Sequence, residues 1–180
     1  MSEQYNRIIL VEFISVFLAI FGITFAIVLN ELSYFQEINE QSEEIVLSYI
    51  AFSSVSLALA IFIRYDLYLK WYVKRGLLTQ YDTLISTGWW REMVLEQFFV
   101  LIAPYPFLQG VKYTEVSSNW NVTIQYEINQ ILMCVSFSRI YIILRYVLFI
   151  SKFMNPRSVR VCVINGCSAD HMFAIKGLVK

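Results

Sequence analysis

Between residues 8 and 29 the chain carries one charged side chain, Glu12, and between 45 and 63 it carries none. A helix needs about 20 mostly apolar residues to cross the hydrocarbon layer of a bilayer, and both runs meet that length. Two further runs qualify with interruptions. Residues 89–107 contain Arg91, Glu92 and Glu96, and residues 128–150 contain Arg139 and Arg145. Hydrophobic residues make up 58% of only 180, more apolar surface than a soluble domain of this size can hide. The expectation is an all-α, polytopic transmembrane four-helix bundle over residues 1–150, followed by a cytosolic segment over 151–180 with amphipathic linker helices.

Orientation follows from the lysines and arginines, which favour the cytosolic side. Residues 30–44 hold only acids: Glu31, Glu37, Glu40, Glu43 and Glu44. The connection after the second run carries Arg64, Lys70, Lys74 and Arg75, with Arg91 at its far end. Residues 108–127 offer Lys112 alone, and the tail carries Lys152, Arg157, Arg160, Lys176 and Lys180. Basic and non-basic connections alternate, as four spans with both termini in the cytosol require. Trp89 and Trp90 suit an inner aromatic belt, and Pro104 and Pro106 end the third span on the outer side. Asn121, in the triplet Asn121-Val122-Thr123, is a possible glycosylation site in the expected outer loop. Residues 64–76 mix aromatics with bases and read as a continuation of the second helix through the inner headgroup region, an interface anchor against membrane lipids.

Ionisable groups inside a bilayer cost several kcal/mol unless paired or hydrated. By helical rise, Glu96 lies about 7.5 Å and Arg145 about 10 Å from the inner boundary, with Glu12 close to that level. Glu96 and Arg145 are therefore an expected pair. Arg139 lies about 9 Å further out, near the midplane, with no evident partner. Two arginines on alternate slots of a three-residue series make a shallow voltage sensor at best, and the expectation is that they tie the bundle together.

Other chemistry finds little support. The formal net charge is zero, so nothing suggests a nucleic-acid partner. Cys134, Cys162 and Cys167 fall on spans or on the expected cytosolic side, where free thiols are the plain reading. Cys162, Cys167 and His171 are one ligand short of a structural zinc site and awkwardly spaced, so no metal is expected. No catalytic pair, phosphate loop or dinucleotide fingerprint is present; neither an enzyme nor a cofactor is expected. The run from Ile8 is too long for a signal peptide and lacks a small-residue cleavage site.

Several segments, in order, resemble the small- and intermediate-conductance calcium-activated potassium channels. Leu18-Ala19-Ile20-Phe21-Gly22-Ile23 with Asn30-Glu31-Leu32-Ser33 is similar to that family's first span. Phe137-Ser138-Arg139-Ile140-Tyr141-Ile142-Ile143-Leu144-Arg145, followed by Ser151-Lys152, is similar to its fourth. Ala103-Pro104-Tyr105-Pro106 looks like the end of its third span, with Glu96 at an acidic position. Arg157-Ser158, Ile164-Asn165 and Phe173-x-x-Lys176-x-Leu178 resemble the linker into its fifth helix.

The resemblance implies a sensor-like domain of a tetrameric channel subunit, opened by calcium through calmodulin bound at the linker. Lys152, Arg157, Ser158, Arg160 and Asn165 are the implied linker contacts, and the three bases suit anionic lipid equally well. No Gly-Tyr-Gly occurs in these 180 residues. A potassium filter needs stacked carbonyl rings from such a loop, so the pore is expected from elsewhere. The chain is expected to be one part of a plasma-membrane channel subunit. Alternatives are a stand-alone four-span modulator of full-length channels, or a structural subunit of a large membrane complex.

Overall fold

The long apolar runs become long helices. The computed structural model describes residues 2–34, 39–117, 122–151, 158, 161–162, 164–167 and 175–177. Helix α1 covers Ser2–Tyr34 and α2 covers Glu40–Lys74. No proline falls in either, and Ser15, Ser48 and Ser54 bond back to carbonyls one turn earlier, those of Val11, Glu44 and Ile50. The basic, aromatic stretch after the second run is helical as far as Lys74, in line with the expected continuation.

The buried positions of α1 are Ile8, Glu12, Ser15, Ala19, Gly22, Ala26 and Leu29, with Val16 and Ile23 beside them. Those of α2 are Leu47, Ile50, Ser54, Leu57, Ile61 and Arg64, flanked by Ser53 and Ala60. Both series step by alternating threes and fours, the spacing of a knobs-into-holes seam. The pair is antiparallel: Tyr5 meets Trp71, Glu12 meets Arg64 and Phe25 meets Tyr49. Much of the seam is serine, alanine and glycine. In lipid, where no hydrophobic force drives helices together, small residues let two backbones approach closely.

Helix α3, Trp90–Leu101, runs back along α2, with Trp89 against Tyr72 and Glu96 against Arg64. A 3-10 turn follows at Pro106–Leu108. Strands β1 (Lys112–Ser117) and β2 (Val122–Glu127) pair antiparallel, with Tyr113 opposite Tyr126 and Lys112 opposite Glu127. Helix α4, Ile128–Ser136, leads into a 3-10 turn at Phe137–Arg139, and α5 covers Ile140–Ile150. The chain divides into two compact units, Met1–Arg139 and Ile140–Lys180. Beyond α5, the backbone is helical at Ser158, Val161, Cys162, Ile164 and residues 175–177.

Among the described residues, three stretches are helical, long and apolar enough to cross a membrane: Glu3–Ser33, Gln41–Lys74 and Ile128–Ile150. The chain thus has the mostly helical make-up of a membrane protein. The third of the four expected spans is not among them. Helix α3 has 12 residues, or about 18 Å of rise, against roughly 30 Å of hydrocarbon. Its end is set by Pro104, which has no N–H to offer the carbonyl of Val100 and disfavours helical backbone in the residue before it. Ile102 is already extended, at φ −72° and ψ 104°. A second correction concerns residues 108–127, expected as loop but holding a hairpin.

A small core lies at the acidic end of the first unit. Ala26, Leu29, Leu47, Ile50 and Ala103 are buried together, with Phe25, Val46, Tyr105 and Met133 packed on them. Asn129, at the start of α4, fastens the extended segment there. Its amide donates to the Tyr105 carbonyl at 3.2 Å, and its oxygen accepts from the Tyr105 N–H at 3.3 Å. Asn129→Ala leaves both backbone groups without these bonds and is expected to cost about 2 kcal/mol. A thermal unfolding midpoint in detergent unchanged from the parent would contradict this.

Candidate functional site: two charged layers between the helices

The first layer is built around Arg64, on α2, whose side chain is only 4% exposed. Its Nη1 donates to Glu96 Oε1 at 3.1 Å, and its Nη2 donates to Glu96 Oε2, a two-pronged pairing. Glu12, from α1, stands with Oε1 at 3.8 Å from Nη1. The Tyr65 hydroxyl also donates to Glu96 Oε2, at 3.2 Å, and the guanidinium lies 4.7 Å from the Tyr65 ring centre. One cation thus ties α1, α2 and α3 together. A planar guanidinium suits this better than an ammonium, because its fork matches a carboxylate with two parallel bonds.

The second layer lies ten residues along both long helices, or about 15 Å away by helical rise. Its cation is Arg139, 1% exposed. Nη2 donates to Ser54 Oγ at 2.7 Å and to the Val100 carbonyl at 2.8 Å. No carboxylate pairs with Arg139 among the described residues. Its role follows from the break in α3. The Val100 carbonyl would ordinarily accept from the residue four places on, which is Pro104. Arg139 supplies the missing donor, and its charge faces the negative end of the helix dipole. The neighbouring carbonyl of Leu101 accepts from the Tyr105 hydroxyl at 2.6 Å. Arg139, Asn129 and Tyr105 together serve polar backbone that, facing lipid, would cost several kcal/mol per group.

Gly22 makes room for this arrangement. A Cβ there would lie 2.7 Å from Ser53 Oγ and 2.8 Å from Arg139 Nη1, closer than real contacts allow. The glycine therefore sets the distance at which α1 can pass the guanidinium.

Of the charges singled out from sequence, Glu12 and Glu96 meet at one cation, and Arg139 sits in the second layer. The cation between the two acids is Arg64, which the sequence alone presents as the first base of a connection. Its spacing on the seam with Ile50, Ser54, Leu57 and Ile61 was the signal that would have found it. Arg145 lies on α5 in the second unit, with its guanidinium 5.7 Å from the Tyr141 ring centre. Ser158 is half-buried on helical backbone, and Asn165 donates from Nδ2 to the Val161 carbonyl at 2.9 Å. Asn121, Lys152, Arg157, Arg160 and His171 lie outside the described residues. Among the described residues no cluster of histidine, cysteine or carboxylate side chains could hold a metal ion.

Comparison with known proteins gives no match, either to a family model or to a curated sequence.

Proposed function

We propose that this chain is the sensor-like transmembrane domain of a calcium-activated, calmodulin-gated potassium channel subunit, with the selectivity filter supplied from outside these 180 residues. The domain has no enzymatic role. It packs in a tetramer around the pore, and residues 151–180 form the cytosolic linker through which calmodulin acts. The ordered resemblance of four segments to that family supports the reading.

The observation that carries it is the engagement of Arg139. A helix that moves with voltage has to release its arginines as the field changes. Arg139 instead closes the end of α3 and binds Ser54. Such a domain holds its shape while force passes along the linker. The third segment crosses in two parts, α3 for about 18 Å and the extended residues 102–105 for about 13 Å more, protected by the side chains described above. Both termini face the cytosol of the plasma membrane, the side favoured by the basic residues.

Two measurements test this together. Antibodies against residues 77–88 should detect, in native membranes, a product much larger than 21.1 kDa. The detergent-solubilised protein should bind immobilised calmodulin in calcium and leave it in chelator. A product of about 21 kDa that ignores calmodulin in both conditions would reject the proposal.

A further inference from the structure

Three of the four tryptophans gather where α2 ends and α3 begins: Trp71, Trp89 and Trp90. Trp71 and Trp89 belong to a chain of ring contacts. Tyr5 lies 6.3 Å from Trp71, Trp71 lies 5.2 Å from Tyr72, and Tyr72 lies 5.2 Å from Trp89. Bases lie near Trp71 and Trp90. The Arg75 guanidinium is 3.6 Å from the Trp71 ring centre, and that of Arg91 is 5.8 Å from Trp90. Lys74 and Arg91 are exposed, and neither makes an ion pair among the described residues.

The connection between α2 and α3 completes the surface. Its polar groups are bonded internally: Asp82 accepts from the N–H and hydroxyl of Thr79, and Ser86 accepts from the Thr83 N–H. Three of its large apolar side chains are exposed: Leu77 by 63%, Tyr81 by 93% and Ile85 by 76%. Water is a poor medium for such groups, and nothing among the described residues covers them. They adjoin the end of a helix pair that itself belongs in lipid, so the medium that continues over them is the same bilayer. Amphipathic rings with cations beside them are the composition of the headgroup zone.

We propose that this collar selects anionic phospholipid. Leu77, Tyr81 and Ile85 sit among the acyl chains at the headgroup boundary, Trp71, Trp89 and Trp90 mark that boundary, and Lys74, Arg75 and Arg91 hold lipid phosphate. The charge complementarity is local, because the opposite end of the α1–α2 pair carries Glu31, Glu43 and Glu44. The inference requires membrane insertion and is independent of the channel reading.

Tryptophan quenching tests it directly. The full chain with Trp120→Phe, so that only the collar reports, is placed in nanodiscs of equal parts phosphatidylserine and phosphatidylcholine. Bromine is carried on one lipid or the other. Brominated phosphatidylserine should quench at least about twofold more strongly than brominated phosphatidylcholine, with the difference shrinking as salt is raised. Lys74→Gln with Arg91→Gln should bring the two lipids to parity while helix content stays unchanged. Equal quenching in the parent, or a preference untouched by the double substitution, would overturn the proposal.

Discussion

Arg64→Gln is expected to destabilise the first unit by about 3–5 kcal/mol, the cost of breaking a buried ion pair by removing one partner. The substitution keeps much of the side-chain volume and takes away the charge that Glu12 and Glu96 face. Unfolding in mixed micelles, followed by helix signal against detergent composition, measures the loss. The geometry also ranks the acids. Glu96→Gln should cost more than Glu12→Gln, because Glu96 takes both prongs of the guanidinium and the Tyr65 hydroxyl, whereas Glu12 stands at 3.8 Å. A double-mutant cycle of Arg64 with each acid separates pairing from packing. If Arg64→Gln unfolds within about 0.5 kcal/mol of the parent, the size of an ordinary surface substitution, the first layer does not hold these helices together.

Arg139→Ala should cost about 3 kcal/mol, since hydrogen bonds from a charged donor contribute more than neutral ones and their loss strands a carbonyl. The damage should be local. Amide hydrogen exchange should quicken in the last turn of α3 and in residues 102–105, ahead of any change in α1. Arg139→Lys should recover part of the loss, because both bonds leave the one nitrogen Nη2 and an ammonium that reaches the same place can donate to both acceptors. Gly22→Ala should reproduce part of the same exchange pattern by pushing the guanidinium off its partners. Exchange that rises evenly along the chain and spares the end of α3 would refute the capping role.

The long helices were legible in the sequence because hydropathy over 20 residues is a strong, one-dimensional signal. Their inner seam was legible too: the steps from Ile8 through Glu12, Ser15, Ala19 and Gly22 need only a helical wheel. The third segment was misjudged because length was counted in residues without asking which of them could be helical. Pro104 forbids the donor that Val100 needs, and that single fact shortens the helix. The strand pair was missed although Tyr113, Val116, Val122, Ile124 and Tyr126 are strand-favouring residues in sequence. Arg64 escaped for a subtler reason. Counting bases to orient the chain treats an arginine just past an apolar run as solvated, whereas inside a helix that continues to Lys74 it can turn inward to a carboxylate and bury itself.

The marginal third segment has a bearing on how the chain enters its membrane. With Arg91, Glu92 and Glu96 in its first half, residues 89–107 are costly to release into lipid alone. The antiparallel α1–α2 pair shares a continuous seam of its own and contains Arg64, so that cation precedes the third segment in order of synthesis. The first two helices are equipped to associate as a hairpin by themselves, whereas α3 depends on them, its Glu96 carboxylate needing the Arg64 cation that they supply. The chain thus holds one self-sufficient helix pair followed by one dependent helix.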